Sequence, residues 1–80
     1  MRYNPDVQKL IDIEAAGENN WLRIFCKDSE VFEAWPDCLT YTTIGGDEDV
    51  DAMLFIRRNG TGYTVAGVDI DHFEVLEPRT

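Results

Sequence analysis

Apolar and polar positions along this chain follow two different periods, and the change between them separates a helix from a sheet. In the first part, Val7, Leu10, Ile11 and Ala15 recur at three- and four-residue steps and make one apolar stripe. Asn4 offers an N-cap, Pro5 suits the first helical position, and Asp6 puts negative charge where the helix dipole favours it. Gly17, followed by Asn19 and Asn20, supplies the stop, so the spacing predicts a helix over Pro5–Ala16. A helix that short is marginal alone in water, so its stripe must dock on another element.

From Trp21 onward the period is two. Leu22, Ile24 and Cys26 alternate with Trp21, Arg23, Phe25 and Lys27, predicting a strand over residues 21–27, and Asp28-Ser29-Glu30 turns the chain. A second strand is expected over residues 31–41. Pro36 lies inside it, which a flat central strand would reject and a bend or bulge accepts. Residues 42–51 hold Gly45-Gly46 and the run Asp47-Glu48-Asp49-Val50-Asp51, and read as a long anionic loop. A third strand follows over residues 52–58, closed by the hairpin signal Asn59-Gly60; a fourth covers residues 63–68. Asp69-Ile70-Asp71 reads as one tight turn before a fifth strand over residues 72–77. There are no repeats, low-complexity segments or linkers. Residues 1–80 therefore read as one mainly β (α+β) domain, a short helix followed by a strongly bent five-stranded antiparallel barrel.

Such a helix and five strands, with a bent second strand and a one-turn step before the fifth, resemble the Sm-like barrel and the related SH3-like barrels. Lys27-Asp28-Ser29-Glu30-Val31-Phe32-Glu33-Ala34 is similar to the turn of the first Sm motif, in which an Asp-Gly pair precedes an apolar and then a small residue. Ser29 and Ala34 stand where glycines are usual. Val68-Asp69-Ile70-Asp71-His72-Phe73-Glu74-Val75 is similar to the stretch that links the last two strands of these barrels. The resemblance implies ring assembly through the fourth and fifth strands and RNA binding by loop residues. Ring assembly needs only exposed strand edges. RNA binding needs particular side chains, and residues 37–43 show neither the family's loop asparagine nor its neighbouring aromatic, while Ala66-Gly67 stands where an arginine-glycine pair is expected.

Charge strengthens that contrast. Lys and Arg number 7 against 16 Asp and Glu, a formal charge of −9 that makes binding to nucleic acid phosphates unfavourable and favours a protein with a basic surface or a small ligand. With 80 residues the chain builds one core and has a thin stability margin. No apolar run approaches the length of a membrane span, and the first residues lack the apolar region of a secretory signal, so a cytoplasmic location is expected. In that setting Cys26 and Cys38, which have no metal-ligand spacing between them, read as two thiols.

Candidate chemistry is correspondingly sparse. Asp47, Asp49 and Asp51 imitate the opening of a calcium loop, but Ala52 occupies the glycine position and Arg58 the position of the bidentate glutamate, so neither a metal nor a cofactor is expected. His72 is the lone histidine and no nucleophile is spaced to serve it, so no catalytic residue is assigned and the chain is not read as an enzyme. Trp21, Phe25 and Trp35 fall on one sheet face by parity, either packed under the helix or free as a binding surface, and Tyr41 ends the second strand. Arg57 and Arg58 precede a glycine-bearing turn and are expected to offset the acidic loop. The candidate binding residues are thus Trp21, Phe25, Trp35, Tyr41, Asp47, Glu48, Asp49, Asp51, Arg57 and Arg58. They suggest a non-catalytic, acidic, self-associating binding module that uses its barrel edges and aromatic face. A second reading is an acidic inhibitor of the phage anti-defence or immunity type, whose carboxylates mimic nucleic acid in a basic groove. An Sm-like RNA-binding protein is the third, disfavoured by charge.

Overall fold

The computed structural model describes residues 5–44, 46 and 48–79. Helix α1 spans Pro5–Ala16, within the bounds its periodicity predicts, while Asn4 lies outside the described residues. Its stop is built differently from a left-handed glycine cap. The Gly17 amide still bonds to the Ile13 carbonyl at 2.9 Å, and the Asn20 side-chain amide donates to the Ala16 carbonyl at 3.0 Å. Positive φ among glycines is confined to Gly46 and Gly60 within the described residues, so Gly17 is needed for space rather than for backbone freedom. A Cβ there would lie 2.2 Å from Pro36 Cδ.

Five antiparallel strands follow: β1 (Asn20–Cys26), β2 (Val31–Ile44), β3 (Glu48–Arg57), β4 (Gly62–Ala66) and β5 (Ile70–Pro78), in the spatial order β4-β3-β2-β1-β5. β1 and β5 meet through Leu22↔Val75 and Ile24↔Phe73, and β2 is shared between β1 and β3, Ala34 facing both Leu22 and Arg57. Among the described residues no ladder joins β4 to β5, so the sheet has two open edges. Pro36 is the bend its sequence position predicts. The β2–β3 register slips between Pro36 and Cys38, because a residue without an amide proton cannot sustain the ladder.

Two expected boundaries move. Residues 42–51 do not form a long loop: β2 continues to Ile44 and β3 begins at Glu48, with Thr42↔Val50 and Thr43↔Asp49 in register. A two-stranded ribbon wetted on both faces tolerates charge that a buried strand would not, and Thr42 and Thr43 are β-branched. Thr43 Oγ1 donates to Asp49 Oδ1 at 2.8 Å, closing one such pair. The one-turn step also lies earlier, as a 3₁₀ turn at Gly67–Asp69, with Ile70 and Asp71 already in β5. At Asn59-Gly60 the hairpin forms as read: Gly60 has φ +86°, and Asn59 Oδ1 accepts from the Thr61 amide at 3.1 Å.

The core lies between α1 and the curled sheet. Leu10, Ile13, Leu22, Ile24, Met53, Phe55 and Ile70 are fully buried. The helix therefore docks by Leu10, Ile13 and Gly17, while Ile11, expected in the buried stripe, is 42 % exposed and Ala15 is exposed as well. Both faces have helical spacing, and the sheet curvature chooses between them. Lys9 fixes the choice: its Nζ donates to the Ile70 carbonyl at 2.6 Å and the Gly67 carbonyl at 3.2 Å, tying α1 to the 3₁₀ turn. Among the described residues no helix is long and apolar enough to cross a membrane.

Candidate functional site

Strand alternation decides what each candidate side chain faces. In β1 Leu22, Ile24 and Cys26 point inward, so Trp21, Arg23 and Phe25 turn to the outer face, and Trp21 and Phe25 do not pack beneath the helix. They are covered from outside instead. Arg58 lies over the Trp21 ring at 4.4 Å and bonds to Glu33 and Glu77, while Arg23 donates to the other Glu33 oxygen at 3.1 Å. These two arginine bonds hold the Glu33 carboxyl below its ordinary range, Arg23 having the larger effect; Arg58 does the same for Glu77. Phe25 stacks on His72 at 4.3 Å, and His72 Nδ1 bonds to Asp71 Oδ2 at 2.7 Å.

Arg57 and Arg58 do not serve the acidic hairpin as expected. Arg57 sits 5.0 Å from the Tyr63 ring and donates to Thr61 Oγ1 at 3.0 Å, so both arginines are bound to the sheet. Arg79 lies over Trp35 at 4.1 Å and also bonds to the Glu18 carbonyl. The candidate residues are thus dispersed. Trp21 and Arg58 share one cluster, Glu48 and Asp49 stand on the β2–β3 hairpin, and Asp47 lies outside the described residues. Tyr41, 71 % exposed, flanks a hollow with Val7, Leu39 and Asp51.

Trp35 borders a groove. Ile11, Ala15, Trp35 and Pro36 form its apolar floor, Glu14, Glu18 and Asp37 add carboxylates, and Arg79 closes one side, enclosing about 560 Å³. The groove exists because Pro36 bends β2 toward the C-terminal end of α1, where Gly17 allows the close approach. Its acidic members could not be grouped from the sequence because Glu14 belongs to the helix, Glu18 to the turn after it and Asp37 to a strand; only Trp35 beside Pro36 marked the place.

A second concavity, about 270 Å³, lies between the β1–β2 turn and β4 and includes Cys26, Asp28, Glu30, Tyr63 and Asp69. Burial, then Glu30, Asp28 and Asp69 in that order, push the Cys26 thiol up to about 11. Tyr63 donates its hydroxyl to Glu30 Oε1 at 2.6 Å, and that bond, the largest cause, raises the phenol to about 12. The alternating Cys26-x-Asp28-x-Glu30 across a tight turn was visible in the sequence, whereas Asp69 joins only through the fold. No family model, curated protein or solved structure matches the chain.

Proposed function

We propose that this chain is a non-catalytic acidic binding module with an Sm-like or SH3-like barrel, which grips a protein partner by a basic segment bearing an apolar side chain. The observation that carries the reading is the groove at Trp35. Its floor of Ile11, Ala15, Trp35 and Pro36 offers apolar area, and Glu14, Glu18 and Asp37 favour flanking lysine or arginine. Five of the six described cations, Lys9, Arg23, Arg57, Arg58 and Arg79, are engaged internally, and Lys27 stands on the β1–β2 turn, leaving a surplus of acid outward. The same engagement speaks against RNA binding. The barrel part of the reading draws on the strand order, the bend at Pro36 and the one-turn step before β5.

Nucleic-acid mimicry has weaker support because the carboxylates it needs fall in different settings. Glu33 is bonded to two arginines, Asp37 lies on the groove, and Asp28 and Glu30 stand beside Asp69. Self-association belongs to the same proposal, with the open edges of β4 and β5 as contact strands. Light scattering after size exclusion tests it, and a strict monomer at high concentration refutes that part. The groove is tested by mass-resolved co-purification at low and high salt. Capture should fall with salt and with Glu14→Gln/Glu18→Gln/Asp37→Asn together, and should be lost in Trp35→Ala. A partner captured equally by every folded variant would overturn the groove reading.

A further inference from the structure

We propose that Cys26, Asp28 and Glu30 bind one thiophilic divalent cation, zinc in physiological terms, in the concavity between the β1–β2 turn and β4. The Cys26 Sγ and one carboxylate oxygen from each acid lie within 4.8 Å of one another. Ligand atoms around tetrahedral zinc sit roughly 3.5 Å apart, a difference that rotation of the two exposed carboxylates closes. Two surface acids alone would mean little. The thiol is what distinguishes the place, because it lies at the rim of the apolar core and also borders the cavity that the acids line.

Cys26 is only 8 % exposed, yet it borders the cavity that Asp28, Glu30 and Asp69 also line. Among the described residues no group hydrogen-bonds to its sulfur. A buried sulfur that shares its cavity with three carboxylates offers a cation one soft and several hard donors at close range. A divalent ion at the centre makes thiolate and carboxylates mutually favourable.

The acids are also oriented. Asp28 Oδ1 accepts the Glu30 amide at 3.0 Å and Glu30 Oε1 accepts the Tyr63 hydroxyl at 2.6 Å, so each carboxylate keeps its second oxygen for a metal. The backbone holds the sulfur in place, with the Cys26 amide bonded to the Glu30 carbonyl at 2.8 Å. One thiolate and two carboxylates select zinc or cadmium; calcium requires six or more oxygens and magnesium keeps its waters. Three protein ligands leave a fourth position for water. On binding, the Cys26 S–H proton passes to solvent and the sulfur lone pair forms the metal bond, with no change of oxidation state.

Cadmium is the probe, because a cadmium–thiolate bond has an ultraviolet charge-transfer band. The titration uses the full chain with Cys38→Ser, which removes the exposed thiol. One equivalent should saturate the band, zinc should displace cadmium, and excess calcium or magnesium should not. Adding Cys26→Ser should abolish the band. Asp28→Asn with Glu30→Gln, a pair that keeps the thiol and sits on the surface, should weaken binding roughly tenfold or more. A band that never saturates, one undiminished in the double amide variant, or one lost to calcium overturns the site. Circular dichroism of each variant confirms that loss of binding is not loss of fold.

Discussion

Replacing Gly17 with alanine sets two effects of opposite sign against each other. Near a helix end this change ordinarily favours the folded state by about 0.4–1 kcal/mol, because the unfolded chain loses freedom. Here the new Cβ would stand 2.2 Å from Pro36 Cδ, 2.5 Å from Pro36 Cγ and 3.0 Å from Leu22 Cδ1. Carbon atoms rest about 3.5–4.0 Å apart, so the overlap exceeds an ångström, and the proline ring is fused to the backbone and cannot rotate away. Overpacking typically costs about 1–3 kcal/mol, and two contacts on a rigid ring place this one at about 3 kcal/mol. The overlap wins. For a domain of this size each kcal/mol shifts the thermal midpoint by about 4–8 °C, so Gly17→Ala should melt roughly 10–20 °C lower. Urea unfolding followed by Trp21 and Trp35 fluorescence measures the same loss. Pro36→Ala removes the obstacle, so Gly17→Ala should cost far less in that background than in the wild type. A variant as stable as the wild type, or a double-mutant cycle with no coupling, would refute the claim that contact between Gly17 and Pro36 seats the helix on the bend.

Other expectations follow from single observations. Ser29 has φ 76° in the β1–β2 turn, a conformation that costs a non-glycine residue about 1 kcal/mol, so Ser29→Gly should raise the urea midpoint; a lower midpoint would show the strain to be absent. Cys38 is exposed and Cys26 is buried with its thiol raised to about 11, so at mild alkaline pH and with chelator present, alkylation followed by mass spectrometry should give one fast equivalent, at Cys38. Equal rates would contradict the burial of Cys26. Glu33 and Glu77 have carboxyls held below the ordinary 4.5 by arginine bonds. Such groups add stability above the unfolded pKa and lose it as pH falls through the lower folded value. Glu33→Gln should therefore lower the melting temperature near neutrality and converge with the wild type in acid, and a constant offset across that range would contradict the ion pair.

The sequence already contained the helix limits, the Pro36 bend and the Asn59-Gly60 hairpin, because each depends on local chemistry. It misjudged residues 42–51, where acid content suggested a loop while β-branched threonines and a partner strand made a ladder. Helix orientation was ambiguous for a different reason. Ile11 and Ile13 both fit helical spacing, and only the shape of the sheet buries one and exposes the other. Parity correctly sent Trp21 and Phe25 to one face, but which arginine would cover a tryptophan depends on register across three strands. Both concavities combine residues distant in the chain: Glu14 with Arg79 in one, Glu30 with Asp69 in the other. No single-sequence spacing reports such pairs.

Sharing β2 between two ladders also sets an order of assembly. The β1–β2, β2–β3 and β3–β4 pairings close across short turns, whereas the β1–β5 ladder must bring Asn20 to Pro78 and Cys26 to Ile70. Loop-closure entropy grows with the length of chain enclosed, so contacts of high sequence separation form late. The four-strand meander β1–β4 is therefore expected to be protected first in pulse-labelled hydrogen exchange and β5 last; early protection of Ile70–Pro78 would reverse that order. Because Lys9 bonds to the Ile70 carbonyl, that one tie between helix and sheet forms only as β5 arrives. The Cys26 concavity borrows Asp69 from the same junction, so its full negative character develops at the final step of folding.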